Sequence, residues 1–452
     1  MSTGSIIELI SKGELNNDLS SCNSSLFNYN FDYQKKKNYA KYDTIYYPNG
    51  RANWGNTVRF NIDKKGDLLY GLYLVIKLPK LSISELNITP PLNEYDTSSI
   101  YRIKYADFIG SVVIDKISLY INDLLIDEQY GDYIQVYTDL YMSDCNRKKM
   151  LGFDDILNRP NLKIDSEYIY IPFKFWFCLD NFMPLPIIAL KNSDIYIDIT
   201  FKKFNNCISV LQYNKSLTKL FHSNITHKEL PFLETYLKAS FYIVDSNERF
   251  ILANQEYTIP ILQSQVRSIN INSNAFLDLT FNKVIKDIIF FIQPINNKYN
   301  GEYFNFSAKT NYIPYELYNS NIDFKLWDLE PKKHLLSRAR LLFDGIERIE
   351  WQDYKYFYLM HNHENYRTNI HSYIYAYSFT SNPVRNTNLI GCDFSKINNI
   401  QLQIEINSNP FILNHLLNIK YPSDNMYEFK CYATNYNILI IKNGLVGIKY
   451  NI

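Results

Sequence analysis

The densest grouping of metal-binding side chains in the sequence is His361-Asn362-His363-Glu364, followed by His371. On an extended strand His361 and His363, two residues apart, share one face and can offer two imidazoles to a cation. The grouping lacks the HExxH spacing of a helical zinc site and has no third ligand at a recognisable distance, so hydrogen-bonded or exposed imidazoles are the expected reading. No GxxxxGK[ST], GxGxxG or GxSxG string occurs, which removes the usual phosphate cradle and nucleophile elbow. Adjacent carboxylates such as Asp154-Asp155 would serve glycoside hydrolysis only if two lay ~5 to 9.5 Å apart across a cleft. The sequence therefore assigns no catalytic residue and no cofactor, and keeps His361 and His363 as its only metal candidates.

Five Asn-x-Ser/Thr triplets occur, at Asn23, Asn87, Asn214, Asn224 and Asn305. An Asn-rich chain generates such triplets by chance. Glu8 and Glu14 also stand where a secretory signal would be basic and then apolar, so lumenal glycosylation is not expected. Asn87, Asn214, Asn224 and Asn305 remain as glycosylation candidates by another route. Of the basic runs, Lys35-Lys36-Lys37 sits in a polar N-terminal stretch that reads as an assembly arm. Arg147-Lys148-Lys149 and Lys332-Lys333-His334 read as solvated turns, because a nucleic-acid footprint would shift the charge of a whole domain. The six cysteines are far apart with no CxxC pair, which predicts free thiols and neither a zinc site nor a disulfide scaffold.

These residues are carried by a chain of 452 amino acids with 47 Lys+Arg against 46 Asp+Glu, a net charge of +1. Such a balance disfavours a basic nucleic-acid wrapper, and no sequence-specific nucleic-acid contact is expected. Tyr (40), Phe (28) and Trp (4) make 16% of the chain while Gly is only 14 residues, which excludes disordered and collagen-like classes. The excess of Tyr, Asn, Ile, Lys and Phe is also what AT-rich codons yield. Apolar runs such as Ile288 to Ile292 are strand-length, too short for a membrane-spanning helix.

Apolar and polar residues alternate with period two in Thr57–Ile62, Ile117–Asn122 and Ile195–Phe201, the signature of half-buried strands. Continuous apolar strands such as Leu72–Ile76 are interspersed. Helical periodicity is confined to Ile134–Met142, Tyr354–His361 and a short stretch near Ser5–Ile10. Turn clusters every 8 to 12 residues or so predict antiparallel sandwiches rather than βαβ units, and two sandwiches fit the length.

An internal echo supports two units. Leu119–Asp127 and Leu341–Ile349 each read as strand, two-residue turn and strand, with Asn122-Asp123 and Asp344-Gly345 as the turns, about 220 residues apart. An aromatic segment follows each hairpin, ending at Met142 and at Met360. Farther on, Trp176–Ile199 and Tyr377–Ile406 share the order aromatic strand, Pro-containing loop, alternating strand.

With these segments in place, the sequence resembles the major capsid proteins of nucleocytoplasmic large DNA viruses. The likeness runs through five ordered blocks. They are the N-terminal stretch TGSIIELISKGELNNDL, the strands around Gly66-Asp67-Leu68 that close at Leu78-Pro79, the block YADFIGSVVIDKISLYINDLLIDEQYGDYIQVYTDL, the block YAYSFTSNPVRNTNLIGCDFSKINNIQLQI, and the closing YATNYNILIIKNGLVGIKYN. Where the family often has Gly-Gly at the first hairpin turn, this chain has Asn122-Asp123, which tolerates the same positive φ.

The resemblance implies an all-β chain of two consecutive eight-stranded antiparallel jelly rolls. Residues 1–50 would form an N-terminal arm, 51–225 the first jelly roll and 226–452 the second. It implies a non-enzymatic structural protein, a homotrimer that forms pseudo-hexagonal capsomers, tiling an icosahedral shell around an inner membrane and DNA genome. Neighbouring capsomers and minor capsid proteins would be its partners, the arm with Lys35 to Lys37 would reach the inner membrane side, and the location would be the virion, assembled in the host cytoplasm. A minor capsid component or transient scaffold of the same fold stands as the alternative, and a carbohydrate-binding or carbohydrate-cleaving β-sandwich stands behind it. In a shell protein the high Tyr content would place large rings at wet seams, each hydroxyl still hydrogen-bonded.

Overall fold

A computed structural model describes residues 39–88, 99–142, 145–153, 155–181, 183–214, 219–222, 227–311, 333–366, 372–384, 390–407 and 427–450. Sixteen strands carry the two halves. In the first they are β1 (Tyr39–Tyr46), β2 (Thr57–Ile62), β3 (Leu68–Lys77), β4 (Ile114–Ile121), β5 (Leu124–Tyr130), β6 (Tyr168–Pro172), β7 (Ile195–Phe201) and β8 (Glu234–Val244). In the second they are β9 (Tyr257–Ile271), β10 (Ala275–Asp278), β11 (Val284–Pro294), β12 (Leu336–Phe343), β13 (Ile346–Asp353), β14 (Tyr375–Ser378), β15 (Ile400–Ile406) and β16 (Tyr427–Lys442).

The first half pairs β1-β8-β3-β6 in one sheet and β2-β7-β4-β5 in the other, while the second pairs β9-β16-β11-β14 and β10-β15-β12-β13. Adding eight to each strand number converts one half into the other, and every one of these pairings is antiparallel. Each half is thus a jelly roll. Further small strands lie outside this frame. Ser99–Tyr105, Ile208–Asn214 and Lys219–His222 form a three-stranded sheet inserted after β3 and after β7.

Sequence periodicity explains which faces are buried. In β7 the inward Ile195, Ile197, Ile199 and Phe201 alternate with half-exposed polar residues and Tyr196, as a strand with one wet face requires. In β11 no alternation survives, because Ile288, Phe290 and Ile292 fill the second jelly-roll core while Ile289 and Phe291 belong to a separate cluster on the sheet's other side. The two hairpins turn as expected: φ is +52° and +62° at Asn122 and Asp123, and +47° and +81° at Asp344 and Gly345, the left-handed pair that matches strand twist in two-residue hairpins.

Three expectations are corrected. The arm does not extend to residue 50, since Tyr39 to Tyr46 pairs residue for residue with β8, from Tyr39 opposite Val244 to Tyr46 opposite Leu237. This stretch reads as polar because β1 lies at a sheet edge and is mostly exposed. The division at 225/226 cuts ahead of β8, which is bonded between β1 and β3. The passage between sheets falls instead at helix α2 (Ser246–Asn254), whose N-cap Asp245 accepts from the Glu248 N–H at 2.9 Å. Finally, the expected aromatic strand at Trp176 is a helical turn, Trp176–Leu179, and the strand matching β14 is β6, just upstream.

Candidate assembly surface

Between the two jelly rolls lies helix α1 (Gly131–Tyr141), which follows β5 and is buried along nearly its whole length. Its tight seating explains Gly131: a Cβ there would stand 2.0 Å from the Ser111 carbonyl oxygen and 2.4 Å from that of Ile114. Ile134 faces the first core. Tyr133, Val136, Tyr137 and Leu140 turn the other way, onto Ile289, Phe291, Tyr366, Ala376 and Tyr432 of the second half. A first-half helix thus covers the outer face of the second half's β9-β16-β11-β14 sheet. Each large apolar side chain so buried contributes about 1.5–3 kcal/mol.

Polar groups fix the register of this seam. Lys430 Nζ donates to Asp132 Oδ2 at 2.5 Å and also lies 3.4 Å from Glu428 Oε1. Burial opposes ionisation of Asp132, but the Lys430 and Lys202 ammoniums outweigh it and hold the carboxyl well below the usual range. The Tyr141 hydroxyl donates to Asp287 Oδ2, whose carboxyl burial pushes up against the opposing influence of Lys286. On β5, Asp127 accepts from the Ser264 N–H of β9 at 3.0 Å and from Gln129 Nε2 at 2.8 Å. Full burial nevertheless raises its carboxyl to about 7. Gln263 and Ser264 further donate to the Ile126 and Glu128 carbonyls, so β9 is tied to β5 through side chains.

Among the described residues, no comparable helix covers the corresponding outer face of the first half, on β1-β8-β3-β6. It carries exposed rings at Tyr39 (62%), Tyr47 (65%), Tyr168 (39%) and Tyr170 (39%), with Tyr70 and Tyr242 stacked at 4.1 Å. Lys238 lies 3.0 Å from Asp43, and Ser240 Oγ donates to the same carboxylate at 2.6 Å. The remaining outer faces are charged and internally neutralised. Arg59 forks onto Asp198 at 2.7 and 2.8 Å with its guanidinium 3.8 Å from the Tyr196 ring. Arg338 forks onto Glu405 at 2.6 and 2.8 Å, and both Arg338 and Arg340 lie 4.8 Å from Trp351.

The residues singled out in sequence fall as follows. His361 and His363 are not on a strand. A π-helical turn, Tyr356–Met360, runs into helix α3 (His361–Asn365), where residues two apart point in different directions. His361 is buried, stacked on Tyr377 with centroids 4.8 Å apart, and its Nε2 accepts from the Ser378 N–H at 2.7 Å. Burial lowers it to about 4, and its Nε2 is taken up by that hydrogen bond. His363 is exposed. Among the described residues no group of three or more His, Cys, Asp and Glu could hold a metal ion.

Asn87 is exposed at a positive-φ turn. Asn305 is tied into its loop: Nδ2 donates to Glu302 and the Lys309 carbonyl, and Oδ1 accepts from the Ser307 hydroxyl, the third residue of its own triplet. Asn214 ends a strand, with its side chain outside the described residues, as are Asn224, His371, Asp154 and the arm lysines Lys35, Lys36 and Lys37. Of the basic runs, Lys149 and Lys333 are exposed, while Lys148 and His334 have partners of their own. Lys148 sits on a short helix, 3.6 Å from buried Asp139. His334 is half-buried among Tyr354, Tyr358, Tyr373 and Tyr375, its Nδ1 2.9 Å from the Tyr375 hydroxyl. Nothing in the sequence signalled that cluster, because three strand or loop segments contribute to it. Cys178, Cys207, Cys392 and Cys431 are free thiols.

Paired jelly rolls of identical strand order, with one sheet covered by a helix of the other half, define a double jelly-roll protein. Two family models match consecutive parts of the chain. Residues 25–243 match the major capsid protein N-terminus and residues 247–447 the large eukaryotic DNA virus major capsid protein. The chain belongs to this major capsid protein family of large eukaryotic DNA viruses.

The major capsid protein of Phaeocystis pouchetii virus is 22% identical, the alignment covering 93% of this chain and 94% of that protein. That of Paramecium bursaria Chlorella virus 1 is 21% identical over 92% and 93%. Among solved structures, PBCV-1 VP54 superposes with a TM-score of 0.72 at 18% identity, covering 93% of this chain and 98% of that one. The Faustovirus major capsid protein gives 0.67 at 10% identity, covering 94% of each. The break between the two family matches, 243 to 247, coincides with the start of α2.

Proposed function

We propose that the chain is a non-enzymatic shell subunit that trimerises into pseudo-hexagonal capsomers and tiles an icosahedral capsid around an inner membrane and DNA genome, after assembly in the host cytoplasm. The observation that carries this reading is the asymmetry between the halves. One jelly-roll sheet is sealed by α1 into a single body, and its equivalent presents tyrosines to solvent. A large aromatic face on an otherwise charge-balanced surface is the composition of a protein contact. A body of two like sandwiches, joined by a buried helix and an ion pair, also suits a subunit that must place two sides of a hexagon at once. Neighbouring capsomers and minor capsid proteins would meet the charged outer faces.

Native mass spectrometry tests the reading on the full chain. A trimer at three times 53.5 kDa is expected, and a chain that stays monomeric at all concentrations while binding sugars would overturn it.

A further inference from the structure

The strand correspondence between the halves extends to single side chains on the outer sheet faces. Lys430 on β16 stands opposite Phe291 on β11, and Lys238 on β8 stands opposite Tyr73 on β3. Both lysines lie on the last strand of their jelly roll, opposite an aromatic of the third strand, and each is followed by a small buried residue, Cys431 or Ala239. The element after the β4-β5 hairpin has its counterpart too. Asp132-Tyr133 opens α1, and Asp353-Tyr354 opens the aromatic segment that runs to Asn365.

Within the chain, Asp132 takes Lys430 and α1 covers the second-half sheet. The second-half counterpart has no such seat: Asp353 is exposed, and Leu359 (55%) and Met360 (53%) project to solvent. Among the described residues one half thus lacks a cover, and the other presents a covering element.

We propose that the segment from Asp353 to Glu364 of one copy covers the β1-β8-β3-β6 face of the next copy, with Asp353 pairing with that copy's Lys238 as Asp132 pairs with Lys430 within the chain. The proposal rests on the trimer reading and gives it a residue-level contact. The occupant is a second copy of this chain because the contact continues one the chain already makes. In a trimer the same helix-on-sheet relation would alternate within and between chains around the ring, a closed set of heterologous contacts. The chemistry matches as well. Leu359 and Met360 are apolar and flexible, and Met favours aromatic rings such as those of Tyr168 and Tyr170. That Lys238 already lies 3.0 Å from Asp43 is no obstacle, since Lys430 holds Glu428 at 3.4 Å alongside Asp132.

Charge reversal tests it. Lys238→Asp loses the pair with Asp43 and Asp353→Lys loses the cap on the Tyr356 N–H, so a melt of each monomer is recorded alongside, and the double reversal, which carries both losses, separates a broken contact from lost stability. Each single reversal is expected to weaken the trimer about tenfold or more by native mass at matched concentrations, and the double reversal to restore it. If the unaltered chain is a trimer and both single variants associate with the same affinity, the contact is wrong while the trimer stands. If the unaltered chain never associates, the trimer reading itself fails.

Zero-length carbodiimide coupling of the unaltered trimer needs no variant. A Lys238–Asp353 peptide between copies is expected beside the internal Lys430–Asp132 product. Finding only the internal product in a trimeric sample would overturn the proposal.

Discussion

Asp132 and Lys430, 298 residues apart in the chain, meet at 2.5 Å across the junction of the two jelly rolls. The pair is mostly buried, with side-chain exposures of 21% and 15%, so removing one partner leaves the other's charge poorly hydrated. Asp132→Ala is expected to lower stability by about 2–3 kcal/mol. The Asp132→Leu, Lys430→Met double variant should cost less than the sum of its single changes, because neither charge is then stranded. Urea titration of the four chains checks this, and strict additivity would mean that the two groups do not interact.

Phe291 supplies the apolar side of the same junction, with its ring 4.3 Å from Phe306 and 6.4 Å from Tyr432. Phe291→Ala should cost about 3–5 kcal/mol. Because α1 is shared, the two jelly rolls should unfold together in one calorimetric transition in the unaltered chain. The variant should separate them into two. A second transition already present in the unaltered chain would show that the seam does not couple the halves.

Strands and hairpins were legible in the sequence because they depend on local pattern. The alternation in Ile195–Phe201 and the Asn122-Asp123 turn need only their own residues to be read. The family blocks extended that legibility to the whole topology. What the sequence hid was set by distant partners. Tyr39–Tyr46 looked like an arm because an edge strand with little burial has no strong alternation. His361 looked like a ligand because its hydrogen bond to the Ser378 N–H comes from β14, seventeen residues on. The seam left one trace in the sequence: Ile288–Ile292 is a continuous apolar run, the pattern of a strand buried on both faces, which does not say that α1 of the other half supplies the second cover.

Asp127 should make stability fall as pH rises from acid to neutral. Its carboxyl titrates near 3.8 when unfolded and at about 7 when folded, so the folded state binds the proton more tightly. The stabilisation is full below about 3.8 and is lost as pH rises through 7. Ser264 and Gln129 donate to the carboxyl, Glu128 adds a like charge beside it, and Lys283 a favourable one. Asp127→Asn should flatten this part of the pH profile whatever its effect on absolute stability. An unchanged slope between pH 5 and 8 in the variant would assign the effect to another group.

Two histidines of the second jelly roll should act in the opposite direction. His361 and His334 are both lowered by burial to about 4 from an ordinary 6.5. The folded state therefore keeps them neutral while the unfolded chain takes up protons, and stability is full above 6.5 and erodes as pH falls from there towards 4. His361 accepts from the Ser378 N–H and stacks on Tyr377, so its protonation removes an acceptor at the start of the β14 exit. His361→Gln can still accept that bond through its carbonyl oxygen and cannot titrate. The variant should therefore resist acid unfolding between pH 6 and 4.5 relative to the unaltered chain, with circular dichroism melts at each pH as the readout. Equal loss of melting temperature in both chains over that range would show that His361 carries none of the acid sensitivity.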